Sequence, residues 1–257
     1  QSSVDDALKE AQDLGLAEAD PTMDVDGTDA AQKASILSAL AFNTPFDFKS
    51  VSYGGIESVS SEDILYAEQL GYSIKHIAYG SIDGNEVNIS AYPTLVSKGQ
   101  LLSQVGQQMN ALEIYCEGIG STVYYGPGAG PKPTASAVIA DLVDISNGGW
   151  PDTPNKENKN KLCKEGKQTF SRYFNLNVKN EAGAIAKVSS LFAEKNISIE
   201  ALIQKESKSN KNEQLNVPVI IISGPLSDVD AFQMQDNLDS MEEIPGTPKQ
   251  FRIQNAL

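Results

Sequence analysis

Residues Tyr173–Gln204 read YFNLNVKNEAGAIAKVSSLFAEKNISIEALIQ, and their patterning reads as strand Tyr173–Val178, helix Ala184–Glu194 and strand Ser198–Gln204. Downstream the order continues with strand Val217–Ser223, helix Asp228–Ser240 and strand Gln250–Ile253. The series β-α-β-β-α-β predicts a four-stranded antiparallel sheet with both helices on one face, the ferredoxin-like arrangement. The polar insert Lys205–Asn216 reads as a hairpin loop between its second and third strands.

Upstream of this unit, Pro151–Gln168 is a run of Pro, Asn, Lys and Glu with almost nothing to bury, which predicts a connection between two domains. Before it, Val4, Leu8, Ala11 and Leu14 share one helical face, and Ile36, Leu37, Leu40 and Ala41 repeat that period across Asp29–Phe42. Asp63–Leu70 also reads as helix. Ser73–Ile82, Glu86–Leu95, Asn110–Gly118 and Thr122–Tyr125 carry the β-branched and aromatic content of strands, the first two joined by Asp83-Gly84-Asn85. The expected fold class is therefore α+β: a mixed domain with a largely antiparallel sheet over residues 1–150, a linker over 151–170 and the ferredoxin-like unit over 171–257.

At 257 residues two domains are expected, and 40% apolar with 21% charged residues describes a soluble globular chain. The net charge of −14 repels phosphate backbones and anionic lipid, so neither nucleic acid nor membrane is an expected partner. Two cysteines, Cys116 and Cys163, make neither a disulfide scaffold nor a thiolate cage and suit a reducing cytoplasm. No stretch reaches the ~20 apolar residues of a spanning helix, and no secretory signal opens the chain. A first residue of Gln rather than Met suggests a missing upstream segment.

His76 is the only histidine and there is no Gly-x-Ser-x-Gly elbow, which nearly excludes a Ser/His/Asp hydrolase and leaves His76 as a structural mid-strand residue. There is no P-loop, and Gly126-Pro127-Gly128-Ala129-Gly130 runs into Pro131 rather than opening a βαβ unit. The densest constellation runs from Glu18 to Lys33 and includes Asp20, Asp24, Asp26 and Asp29. As a calcium loop it fails, because Lys33 falls where a bidentate Glu belongs, and no metal is expected. Asp29 and Lys33 lie four residues apart on one face. Lys33 also lines up with Ile36, Leu37 and Leu40, which predicts a partly desolvated ammonium able to give up a proton; the alternative is an ordinary surface ion pair, which periodicity by itself favours.

Three blocks resemble homoserine dehydrogenases: Leu14 to Lys33; Val105-Gly106 through Asn110-Ala111; and Tyr125 to Gly130 with Pro133 to Val138 and Asp141-Leu142. Residues 172–257 resemble an ACT domain, an amino-acid-sensing module, although Ala182 stands where its helix-opening loop commonly has Pro. The resemblance implies reversible hydride transfer between NADP or NAD and the aldehyde of L-aspartate 4-semialdehyde, giving L-homoserine in threonine, methionine and isoleucine biosynthesis. By match, Lys33 is the proton donor, Asp29 its positioning carboxylate, Glu18 the ligand of the substrate ammonium, and Asp24 and Asp20 further substrate-side groups. Turn and cap duty around Pro21 and Gly27 is the competing role for Asp20 and Asp24. Gly126, Gly128 and Gly130 are the expected close approach to the cofactor, with a tight turn as the plain alternative. The ACT resemblance nominates Asn180, Gly183, Ala184, Ile185, Asn196 and Ile197 for an effector such as threonine, and implies a homodimer or tetramer.

Such enzymes begin with a Rossmann domain bearing the Gly-rich loop, a second catalytic lysine and a monovalent-cation site, none of which is in this sequence. The expectation is a C-terminal portion that neither binds NAD(P)H tightly nor turns over by itself. The alternative functions are an amino-acid sensor acting with a partner and a bare dimerisation scaffold.

Overall fold

The computed structural model describes residues 4–13, 15, 19–149, 160–163, 168–204 and 215–254. The first region holds helices α1 (Val4–Asp13), α2 (Thr22–Val25), α3 (Thr28–Phe42), α4 (Ser61–Gln69) and α5 (Pro131–Ser146). Its strands are β1 (Ser52–Tyr53), β2 (Tyr72–Asp83), β3 (Glu86–Ser97), β4 (Met109–Cys116) and β5 (Gly120–Pro127). The second contains β6 (Lys161–Leu162), β7 (Thr169–Lys179), α6 (Ala184–Glu194), β8 (Ile199–Gln204), β9 (Asn216–Ser227), α7 (Asp228–Asp239) and β10 (Lys249–Ile253). No helix among the described residues is long and apolar enough to cross a membrane.

β2 and β3 form the expected hairpin through Gly84 at φ +60°, a left-handed turn position that glycine takes without strain. β3 is buried almost throughout, as a central strand should be. Its other edge is tiled by three short parallel partners: β6 at Glu86–Val87, β1 at Ser90–Ala91 and β10 at Thr94–Leu95. Pro93, which lacks an N–H, falls in the gap between β1 and β10. The pairing continues in the order β10-β7-β9-β8, all antiparallel, a four-stranded antiparallel array as the β-α-β-β-α-β series predicted.

One feature departs from the expected pair of separately closed sheets: the two regions share a single eight-stranded mixed sheet, while β4 and β5 stand apart as a two-stranded ribbon. The seam is a core. Tyr66, Ala67 and Leu95 from the first region pack with Tyr173, Ile220, Phe251 and Ile253 from the second, and each large side chain so buried contributes about 1.5–3 kcal/mol. Asp63, wholly buried, closes the α4 capping box with Ser60 and also accepts from Asn175 Nδ2 at 2.6 Å and Lys249 Nζ at 3.0 Å. The linker expected over 151–170 is shortened too, because Leu162 packs beneath α3 and residues 161–162 join β3 as an edge strand.

α3 presents its small residues inward. Ala31, Ala34, Ser35 and Ser38 are buried, whereas Ile36, Leu37 and Leu40 are 49%, 44% and 58% exposed. A Cβ on Gly80 of β2 would sit 2.7 Å from Ser38 Oγ, so helix and sheet meet at a distance that only small side chains allow.

Candidate functional site

The acidic stretch ahead of α3 is shaped by local hydrogen bonds. Asp20 accepts from the Thr22 hydroxyl at 2.6 Å and the Thr22 amide at 3.2 Å, which holds its carboxyl below the usual carboxylate range. Asp26, not Asp24, shapes the turn ahead of α3, its Oδ1 accepting from the Thr28 amide two residues on at 2.8 Å. Asp24 is exposed in the first turn of α2. Glu18 lies outside the described residues.

Asp29 and Lys33 meet as their spacing requires: Lys33 Nζ donates to Asp29 Oδ2 at 2.6 Å, with the side chains 59% and 39% exposed for Lys33 and Asp29 respectively. The expected partial desolvation of Lys33 is corrected by this exposure. The residues of its apolar stripe, Ile36, Leu37 and Leu40, face outward with it, because the opposite, small-residue face packs on the sheet. Within this chain the pair is a solvated i,i+4 bridge worth a few tenths of a kcal/mol. Its ammonium is open to an incoming group.

The floor under this helix start rests on Gly27 and His76, expected as a turn residue and a structural mid-strand residue, and on Gly54 and Gly55, which the sequence reading passed over. Gly27 caps α3 at φ +89°, and a Cβ there would lie 2.8 Å from Gly54 O and 3.2 Å from His76 Cε1. Gly55 is tighter still, its Cβ position lying 2.2 Å from Val25 O, while Ile56 N donates to that same carbonyl at 2.9 Å. His76 Nε2 lies 2.9 Å from Gly54 O, and donates there in the neutral ring's Nε2–H form. Burial pushes the His76 pKa down, against the opposing pull of the Gly54 hydrogen bond and the Asp29 carboxylate. A lone His on β2 and a Gly-Gly pair are the only signals of this arrangement in the sequence.

The glycine run lies on a different element, at the end of β5 and the start of α5. Gly126 has open space where a Cβ would be, and Gly130 enters α5 at φ +108°. Gly128 is bare for a reason internal to the chain, since a Cβ would fall 2.0 Å from Asn110 Nδ2. Pro131 and Pro133 remove two of the amides that a helix N-terminus would offer to a phosphate. The segment therefore does not fit a pyrophosphate cradle. Its hydrogen bonds run to Gln108 and Thr134, not to Asp29 or Lys33.

The six nominated effector residues divide between the two ends of α6. Gly183, at φ +93°, opens the helix behind Asn180, whose amide bonds Leu215 O. Ala184 is buried and Ile185 packs against the core. Asn196, at φ +57°, and Ile197 follow the other end, an 11-residue helix away, roughly 16 Å.

Comparison with known proteins places residues 1–143 on the family model for homoserine dehydrogenase. A homoserine dehydrogenase of Neisseria gonorrhoeae is 42% identical over 79% of this chain and 49% of its own length. One of Bacillus subtilis is 36% identical over 99% of this chain and 59% of its own. Among solved structures, a homoserine dehydrogenase from Thiobacillus denitrificans superposes with a TM-score of 0.83 at 32% identity, covering 99% of this chain and 59% of that one. The chain thus spans about half to three fifths of the length of these relatives.

Proposed function

Because this chain belongs to the homoserine dehydrogenase family, we propose that it forms the substrate-side and regulatory part of an NAD(P)-dependent homoserine dehydrogenase, interconverting L-homoserine and L-aspartate 4-semialdehyde. The observation that carries the reading is the Lys33–Asp29 pair, an exposed ammonium steered by a 2.6 Å charge-assisted hydrogen bond. Bound NAD(P) supplies the hydride acceptor or donor. Lys33 gives its proton to the alkoxide oxygen that forms when the aldehyde is reduced, and takes it back when homoserine is oxidised. Asp29 aims the ammonium. Glu18, with Asp24 and Asp20, binds the substrate's α-ammonium, for which carboxylates are the matching partners.

Gly126 and Gly130 would be the residues nearest a bound cofactor, and Gly128 keeps the turn between them by making room for Asn110. The β10-β7-β9-β8 sheet supports an ACT-type amino-acid sensor, continuous with β3 of the catalytic region. The outward Ile36, Leu37 and Leu40 of α3, and the outward Val138, Ile139 and Leu142 of α5, support an assembly of two or more copies in which these helix faces are covered.

The test joins a homologous nucleotide-binding domain to Gln1 and measures homoserine-dependent NAD(P)+ reduction. Activity that falls by about 10²–10⁴ in Lys33→Ala supports the proton-donor role. A folded chimera that is inactive, or indifferent to Lys33, refutes it and favours the sensor.

A further inference from the structure

α4 stands between the two halves of the sheet, and one carboxylate fixes it to both. Lys249 and Asn175 face each other across the β10/β7 ladder. Each donates to Asp63 of α4, at 3.0 Å and 2.6 Å respectively. From the first region Ser60 donates its amide to Asp63 at 3.0 Å and its hydroxyl at 2.6 Å. These bonds fill the acceptor sites of a carboxylate, so Asp63, wholly buried, is satisfied only while both halves hold their places. A buried charge of this kind is better suited to fixing register than to adding stability.

Residues 54–60 run from this cap back to the start of α3, pinned along the way. Val59 N donates to Ile56 O at 3.0 Å, Ile56 N to Val25 O at 2.9 Å and Gly54 N to Ala91 O at 2.9 Å. His76 Nε2 holds the Gly54 carbonyl at 2.9 Å. The packing leaves no slack: Cβ positions at Gly54 and Gly55 fall 3.0 Å from Tyr92 Cε1 and 2.2 Å from Val25 O, and that of Gly27 falls 2.8 Å from Gly54 O. Gly27 caps α3, and two residues beyond it Asp29 holds Lys33. Contacts packed this closely shift together and do not deform smoothly.

We propose that residues 54–60 act as a strap that couples the β7–β10 pair to the Asp29–Lys33 pair, with Asp63 as its anchor. A displacement of β7 or β10 reaches Asp63 through Asn175 and Lys249, then the strap, then the cap of α3. The use of this strap in regulation rests on the dehydrogenase reading; the coupling itself does not, and it is measured without activity.

Coupling is shown by the response of one end to a change at the other. The experiment is amide hydrogen exchange by NMR on this chain, comparing the wild type with Lys249→Met and with Lys187→Met, which breaks an exposed ion pair to Glu243 in the same region. Expected in Lys249→Met is exchange faster by about fivefold or more at the Gly54 and Ile56 amides, with shifted resonances at Gly27 and Asp29. Lys187→Met changes those rates by less than about twofold. Amides of β2 and β3 beside the Gly84 turn keep their wild-type rates in both, which excludes general loosening. Where Lys249→Met does not fold, Asn175→Ala, which frees the other oxygen of Asp63, takes its place with the same expectation. An effect confined to α4 and β10, an equal effect of Lys187→Met, or faster exchange throughout β2 and β3 each overturns the inference.

Discussion

Replacing Asp228 by Asn should destabilise the chain by about 4 kcal/mol, within the 3–5 kcal/mol typical of breaking a buried ion pair. Asp228, at the first position of α7, is 7% exposed, and Arg172 and Arg252 are each 3% exposed. Its Oδ1 accepts from Arg172 Nη2 at 2.6 Å and Arg252 Nε at 3.0 Å, and its Oδ2 from Arg252 Nη2 at 2.5 Å. At an effective dielectric of 20, each pair is attracted by about 4 kcal/mol at ~4 Å, offset by the desolvation of all three charges. Asparagine keeps the shape and removes the charge, leaving two guanidinium groups facing one another. Arg252 retains its contacts over Tyr92 at 4.3 Å and Phe170 at 4.6 Å and its bond to Ser90 Oγ at 2.7 Å, which limits the loss. With a urea slope near 3 kcal/mol/M for a chain of this size, the unfolding midpoint should fall by about 1.3 M. The triple change Arg172→Met, Asp228→Leu, Arg252→Met should cost less than Asp228→Asn alone, since it leaves no unpaired charge. A midpoint shift below ~0.3 M in Asp228→Asn, or a triple variant less stable than the single one, would refute the account.

Lowering the pH below the ordinary histidine value of 6.5 should destabilise the chain through His76, whose folded pKa is depressed by burial. The unfolded state then binds the extra proton, so this contribution is present above 6.5 and is lost as pH falls; a His76→Gln variant should flatten that part of a thermal-melting pH profile. Gly55→Ala should cost at least ~1–3 kcal/mol, because its Cβ would fall 2.2 Å from Val25 O; chemical denaturation measures it, and a neutral result contradicts the packing of the α3 entry. On α3, Leu37→Ser should change stability by less than about 0.5 kcal/mol, while Ser35→Leu on the buried face should cost about 1–3 kcal/mol. The reverse order would mean that the helix packs by its other side.

What the sequence by itself determined was local. The β-branched and aromatic content and the turn chemistry of β2–β3 placed both strands and the Gly84 turn, the patterning placed α6 from Ala184 to Glu194, and the four-residue spacing placed Lys33 on Asp29. These follow from hydrogen bonding and side-chain direction within one element or between neighbours in the chain. What only the tertiary structure decided was which surfaces meet. On α3 the set Ala31, Ala34, Ser35, Ser38 and the set Lys33, Ile36, Leu37, Leu40 share the same i, i+3, i+4, i+7 spacing, two residues out of step and so on opposite faces. Hydrophobicity favours burying the second set, yet the close approach of Gly80 admits only the first. The union of the two regions was equally out of local reach. β10 joins β3 across more than 150 residues of sequence, through main-chain groups that carry no side-chain signature. The Asp63 carboxylate that ties the seam, and the Asp228 carboxylate that joins Arg172 and Arg252 within the second region, find their partners only after the strands are in register, because a buried charge is matched by geometry in space and not by spacing along the chain.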